Sequence, residues 1–233
     1  MALGFAERER SFDHFCALAR RAVPGDGVAG GRRAAAIDDP FLLAELAFEN
    51  RGQGAAAAAV YALEHDRLLV REDGASAFLR CALRWRLGRA LLKAGAEPGV
   101  TTGIAVLERT VGLLDSLART PERLPEPHAG ETLDRLRFHV HELLASGYRL
   151  QGDPFRAASH LATAARLDLE PRLRAAAVVL EAEALVEAGY PEDAGWRIRS
   201  EWPQLAAARD PELISRSRSV LAAVTTQAKA QTR

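Results

Sequence analysis

Apolar residues recur along this chain at three- and four-residue intervals, with almost no sustained alternation of the kind a strand shows. Even AAAVVLEAEALVEAG (175–189), with its paired valines, keeps helical and not alternating spacing. The pattern predicts about ten helices and no sheet, near 6–22, 40–51, 54–70, 76–94, 101–118, 131–151, 154–167, 172–188, 192–205 and 211–227. Several starts are written in the chemistry. Asp39-Pro40, Asp153-Pro154 and Asp210-Pro211 each set a capping carboxylate before a proline at the first helical position, where the missing N–H would have had no partner anyway. Gly52, Gly95, Gly152 and Gly189 mark stops, because glycine enters the left-handed conformation without a Cβ clash.

Two longer loops interrupt the helices. VPGDGVAGGRRAAAIDD (23–39) is rich in glycine, and RTPERLPEPHAGE (119–131) carries three prolines that forbid a continuous helix. The second is the better hinge within an otherwise single domain over 1–233.

Alignment of the four glycine stops exposes a repeat. Before Gly152 stand Leu144, Ala145 and Tyr148 at minus 8, 7 and 4; after it stand Ala157, Leu161 and Ala164 at plus 5, 9 and 12. Gly189 gives Glu181, Ala182 and Leu185, then Ala194, Ile198 and Glu201. Gly52 gives Ala44, Glu45 and Phe48, then Ala57, Tyr61 and Glu64. Gly95 has Leu87, Gly88 and Leu91 upstream, and its downstream half fits with Ala105 in the small position once about five residues of AEPGVTT are looped out. Small residues on both sides of a turn let two antiparallel helices approach closely, and the larger ones fill the space toward the next pair. The pattern resembles the tetratricopeptide repeat, a 34-residue helix–turn–helix unit. It is good at 141–171, fair at 178–204, partial at 41–64 and half present at 84–114. The glycine-to-glycine steps are 43, 57 and 37 residues, so a plain bundle of helical hairpins stays open beside the α-solenoid.

Composition narrows the function. Lys+Arg and Asp+Glu balance at 31 each, which disfavours nucleic acid or a membrane as partner of the whole surface and leaves only local patches. No stretch approaches the roughly 20 apolar residues of a membrane span, and MALGFAERERSFDHF lacks the apolar run of a signal peptide; a cytoplasmic protein is expected. Two cysteines, Cys16 and Cys81, are too few for a disulfide framework or a four-thiolate zinc site, and read as small buried residues.

The sharper chemical motifs fail on context. GDGVAG (25–30) has dinucleotide-binding glycine spacing but no strand before it, so no cofactor is expected. HVHELLA (139–145) comes near the zinc-protease motif, yet the position one turn after His141 is Ala145, and His139 and His141 point about 200° apart on a helix. His160, on the partner helix, can approach one of them, which makes a weak pair and no metal site. Cys16 lies two residues from His14 and faces elsewhere, and no glycine-flanked serine elbow occurs. No enzyme is expected.

One helix stands out: RCALRWRLGRALLK (80–93) holds Arg80, Arg84, Arg86, Arg89 and Lys93 without an acid. The plain reading is a solvated face; the alternatives are a phosphate-contacting surface, as in a nucleic-acid-contacting regulator, or part of a groove for an acidic peptide. The repeat resemblance implies the groove, since in that family the first helix of each hairpin lines the concave face. It places Trp85, Arg89 and Lys93 on one stripe, His139, Glu142 and Arg149 on the next helix, Glu183 and Glu187 on a later one, and Glu49 and Asn50 on the first. The lysine–asparagine set of the family's carboxylate-clamp subgroup is not reproduced. The expectation is therefore a non-catalytic protein-binding module or adaptor for a peptide or helix of a partner. Helix 211–227 serves as a polar-faced cap. Phe12, Phe15, Leu18 and Val23 form a stripe that packs on the first hairpin or, in a homo-oligomer, against a second copy.

Overall fold

The computed structural model describes residues 74–93, 99–120, 124 and 131–231. They form eight helices: α1 (Gly74–Lys93), α2 (Gly99–Arg119), α3 (Glu131–Leu150), α4 (Pro154–Ala164), α5 (Pro171–Glu187), α6 (Pro191–Ser200), α7 (Trp202–Ala207) and α8 (Pro211–Gln231). No strand occurs among the described residues, and no described helix is long and apolar enough to cross a membrane. The helices expected at 6–22, 40–51 and 54–70, the 23–39 loop, Asp39-Pro40, Cys16 and the Phe12–Val23 stripe lie outside the described residues.

The chain divides into two compact units, Met1–Leu113 and Leu114–Arg233, with the boundary inside α2, upstream of the proline-rich stretch. In the first unit α1 and α2 meet through glycine. A Cβ on Gly88 would lie 2.5 Å from Leu107 Cγ, and one on Gly103 would lie 3.2 Å from the Gly88 carbonyl oxygen. The small residue opposite Gly88 is therefore Gly103 and not Ala105. The number of looped-out residues after Gly95 sets this register, and helical spacing alone does not fix it.

In the second unit the turns carry the predicted chemistry. Gly152 and Gly189 adopt φ of +77° and +85°. Around the first, Gly152 N–H donates to Arg149 O at 3.0 Å and Asp153 N–H to Tyr148 O at 2.9 Å; around the second, Gly189 donates to Val186 O at 3.1 Å and Tyr190 to Leu185 O at 2.8 Å. This is the double bond pattern that satisfies the last carbonyls of a helix. Asp153 Oδ1 accepts from Arg156 N–H at 3.0 Å, and Asp210 Oδ1 accepts from Glu212 and Leu213 N–H at 3.0 and 3.3 Å, so both carboxylates cap as expected.

α3 packs on α4, α4 on α5, α5 on α6, and α8 lies against α5 and α6. The close approaches are made by alanine: Ala145, Ala157, Ala164, Ala182 and Ala194 are almost wholly buried. Phe138, Leu161, Ile198 and Leu205 fill the space between them; each adds roughly 1.5–3 kcal/mol by leaving water. The helix expected at 192–205 is two helices. Pro203 has no N–H to continue α6 and its ring would strike the carbonyl one turn earlier, so the chain breaks at Glu201 and restarts as α7.

Candidate functional site

Charged residues of α3, α5 and α8 converge. On α5, Glu183 and Glu187 stand one turn apart and share a face. Glu187 takes Arg149 of α3: Arg149 Nε donates to Glu187 Oε2 at 2.7 Å and Nη2 donates to Oε1. Glu183 takes Arg216 of α8 in a two-pronged pair, Nε to Oε1 at 2.8 Å and Nη2 to Oε2 at 2.7 Å. Both guanidiniums are held more firmly protonated than usual, chiefly by these hydrogen bonds, and Glu183 adds to the field at Arg149. The four side chains remain between 24% and 47% exposed. At that exposure each pair adds at most about 1 kcal/mol to stability, so their consequence is to hold a fixed row in water of two carboxylates flanked by two guanidiniums.

Beside the Glu183–Arg216 pair, α5 and α8 leave a cleft of about 250 Å³ lined by Glu183, Val186, Glu187, Arg216, Ser219, Val220 and Ala223. Arg216, Ser219, Val220 and Ala223 are spaced so that one stripe of α8 forms the wall. The cleft falls short of the 300–1,000 Å³ of most small-molecule pockets and has room for one or two apolar side chains, with charge on either flank.

The other expected groove residues fall into two places. On α3, His139 Nδ1 lies 3.3 Å from Glu142 Oε2, and Glu142 stands two turns before Arg149 on the same face. On α1, in the first unit, Arg89 Cζ sits 5.3 Å from the centre of the Trp85 ring, and Lys93 is exposed. The structure thus brings Arg149, Glu183 and Glu187 together, pairs His139 with Glu142, and stacks Arg89 on Trp85. Sequence reasoning missed Arg216 and the apolar pair Val186 and Val220. The i, i+4 spacing of Arg216 and Val220 in SRSRSV was a signal that α8 has more than a capping face.

Two further clusters bear on chemistry. His141, 4% exposed, turns its Nδ1 to 3.1 Å from His160 Nδ1, and His160 stacks on Tyr148 with ring centres 5.4 Å apart. Burial, then the neighbouring His160, push the His141 pKa down to about 4, so at neutral pH the imidazole is uncharged. Among the described residues no group of three or more His, Cys, Asp or Glu gathers as metal ligands. In α1, burial pushes the Cys81 thiol up to about 11 and so keeps it protonated. Burial lowers the pKa of Arg84 beside Arg80 and Arg109, a cation cluster that spans α1 and α2. The chain matches no protein-family model, no curated protein and no solved structure.

Proposed function

We propose that the second unit is a non-catalytic protein-binding module, built of hairpins like those of the tetratricopeptide repeat, whose groove is the face made by α3, α5 and α8. The observation that carries this reading is the row Arg149–Glu187, Glu183–Arg216 beside the α5–α8 cleft. A concave surface with an apolar hollow and fixed charges of both signs is suited to an extended segment or helix that inserts an apolar side chain and matches the flanking charges. The repeat positions support the hairpin stacking: Leu144, Ala145, Tyr148, Ala157, Leu161 and Ala164 around Gly152, and Ala182, Ala194 and Ile198 around Gly189, are all buried. In this reading the chain acts as an adaptor.

The test is a plug. Ala223 lines the cleft and is only partly buried, so Ala223→Arg fills the hollow without breaking either ion pair. Full-length wild type and this variant are compared as baits in nuclease-treated source lysate, with circular dichroism to verify that the variant is folded. A protein held by wild type and released by at least tenfold with the folded variant supports the groove. Equal capture by both sinks it. A second reading, nucleic-acid contact through α1, is favoured by the Arg80–Arg84–Arg109 cluster alone. It requires DNA or RNA binding that falls steeply with salt and is lost on Arg84→Glu.

A further inference from the structure

The exposed large apolar side chains of the second unit lie beside its two glycine turns and on α6. Leu150, Phe155, Tyr190 and Trp196 are 62%, 55%, 46% and 64% exposed. Phe155 follows the Gly152 turn and Tyr190 follows the Gly189 turn, and their rings meet at 5.5 Å between centres, tilted by 49°. Two successive turns of the stack therefore present one aromatic pair to solvent. The next residues along the chain are acidic. Glu192 and Asp193 are exposed in the first turn of α6, and neither makes an ion pair within the described residues. With Gly189, Tyr190 and Pro191 they line a hollow of about 180 Å³. Trp196 is four residues beyond Glu192 and three beyond Asp193, so it shares their side of the helix.

Helix α6 already buries Ala194, Gly195 and Ile198 on its opposite side, and its acids could serve at its N-terminus without any aromatic near them. Exposed electron-rich rings interleaved with carboxylates are the complement of a guanidinium or ammonium group. The ring face attracts the cation and the carboxylate bonds it directly. The same carboxylates repel nucleic-acid phosphates and anionic lipid.

We infer that Phe155, Tyr190, Glu192, Asp193 and Trp196 form a second interaction surface, at the turn edge of the stack, that receives an arginine- or lysine-bearing segment of a partner protein. Cations of the segment lie over Tyr190 and Trp196 and bond to Glu192 and Asp193, and its apolar side chains cover Phe155. The surface is separate from the α5–α8 cleft and stands whether or not that cleft is a groove.

The probe is a fluorescein-labelled peptide of alternating glycine and arginine, with a glycine–glutamate peptide of equal length as its opposite. Both are titrated into the full chain at fixed ionic strength. The arginine peptide is expected to bind and the glutamate peptide to fail. Trp196→Ala and the pair Glu192→Gln/Asp193→Asn, all at exposed positions, should each weaken binding by about fivefold, while Ala223→Arg leaves it unchanged. Equal binding of both peptides, or full binding to the Trp196 and carboxylate variants, overturns the inference. So does a concentration-dependent dimer, seen by sedimentation, that the same variants abolish, because the occupant is then a second copy of this chain.

Discussion

A neutral His141 that shares one N–H with His160 explains the geometry between the two rings. With Nδ1 atoms 3.1 Å apart, one ring donates and the other accepts, and a second proton would set two donors against each other. The titratable and charged groups facing His141 are His160, Asp115 and Arg137. Asp115 favours the protonated ring, but burial and the other two outweigh it. Asp115 is itself held by Arg137 Nη2 at 2.8 Å, which spends much of its charge. The folded pKa near 4 lies below the ordinary 6.5, so the unfolded chain binds more protons in that interval. Stability is full above pH 6.5 and falls as the pH drops toward 4, by about 3 kcal/mol in all. His141→Gln keeps a hydrogen-bonding group and removes the titration. Urea unfolding at pH 7 and pH 4.5 should show wild type losing about 2 kcal/mol more than this variant; equal losses would reject the account. The sequence showed that His139 and His141 diverge and that His160 could reach one of them. It could not show which, because that depends on how far α4 slides along α3. Arg216 was hidden for the same reason: its partner Glu183 is 33 residues away, and only the stacking of α8 on α5 joins them.

At the scale of elements, local chemistry decided most boundaries. The Asp-Pro starts of α4 and α8 and the glycine stops after α3 and α5 could be read directly, because each acts within a few residues of its own position. The break between α6 and α7 is equally local: Pro203 interrupts a window that otherwise repeats at helical spacing. Contact between helices is a different matter. Gly88 occupies a small position of the repeat, but its partner depended on an unknown loop length. The structure makes the need for glycine there quantitative. Alanine at 88 would gain about 0.5–1 kcal/mol in helix propensity. Its Cβ would also lie 2.5 Å and 2.6 Å from Leu107 Cγ and Cδ2, and Leu107 is fully buried, so its side chain would have to shift within the core. Overpacking of that kind costs about 1–3 kcal/mol. The clash wins, and Gly88→Ala should destabilise by about 1–2 kcal/mol in chemical denaturation. Truncation of the neighbour discriminates the cause: in Leu107→Ala, the same Gly88→Ala change should become neutral or stabilising. A persistent penalty in that background would place the cost elsewhere.

At the scale of the whole molecule, the second unit carries a core of its own. Its main cluster runs from Phe138 through Val178, Ala182, Ile198 and Leu205 to Val220, and every member belongs to Leu114–Arg233. The longer ties close within the same limits: Arg137 to Asp115, Arg135 to Glu170, Arg149 to Glu187, Arg172 to Asp210 and Arg216 to Glu183. The apolar faces of α5 and α6 need a cover against water. Helix α8 supplies it, with Leu213, Ser217 and Val220 turned inward and Arg218, Ser219 and Ala222 outward. Residues 114–233 expressed alone should therefore fold cooperatively, with the helical signal and urea midpoint of a domain stable by about 5–15 kcal/mol. Removal of α8 from that fragment strips the cover from α5 and α6 and should abolish the single sharp transition. A gradual, non-cooperative melt of the intact fragment would mean that its core is completed from outside these limits, and the boundary after Leu113 would have to move.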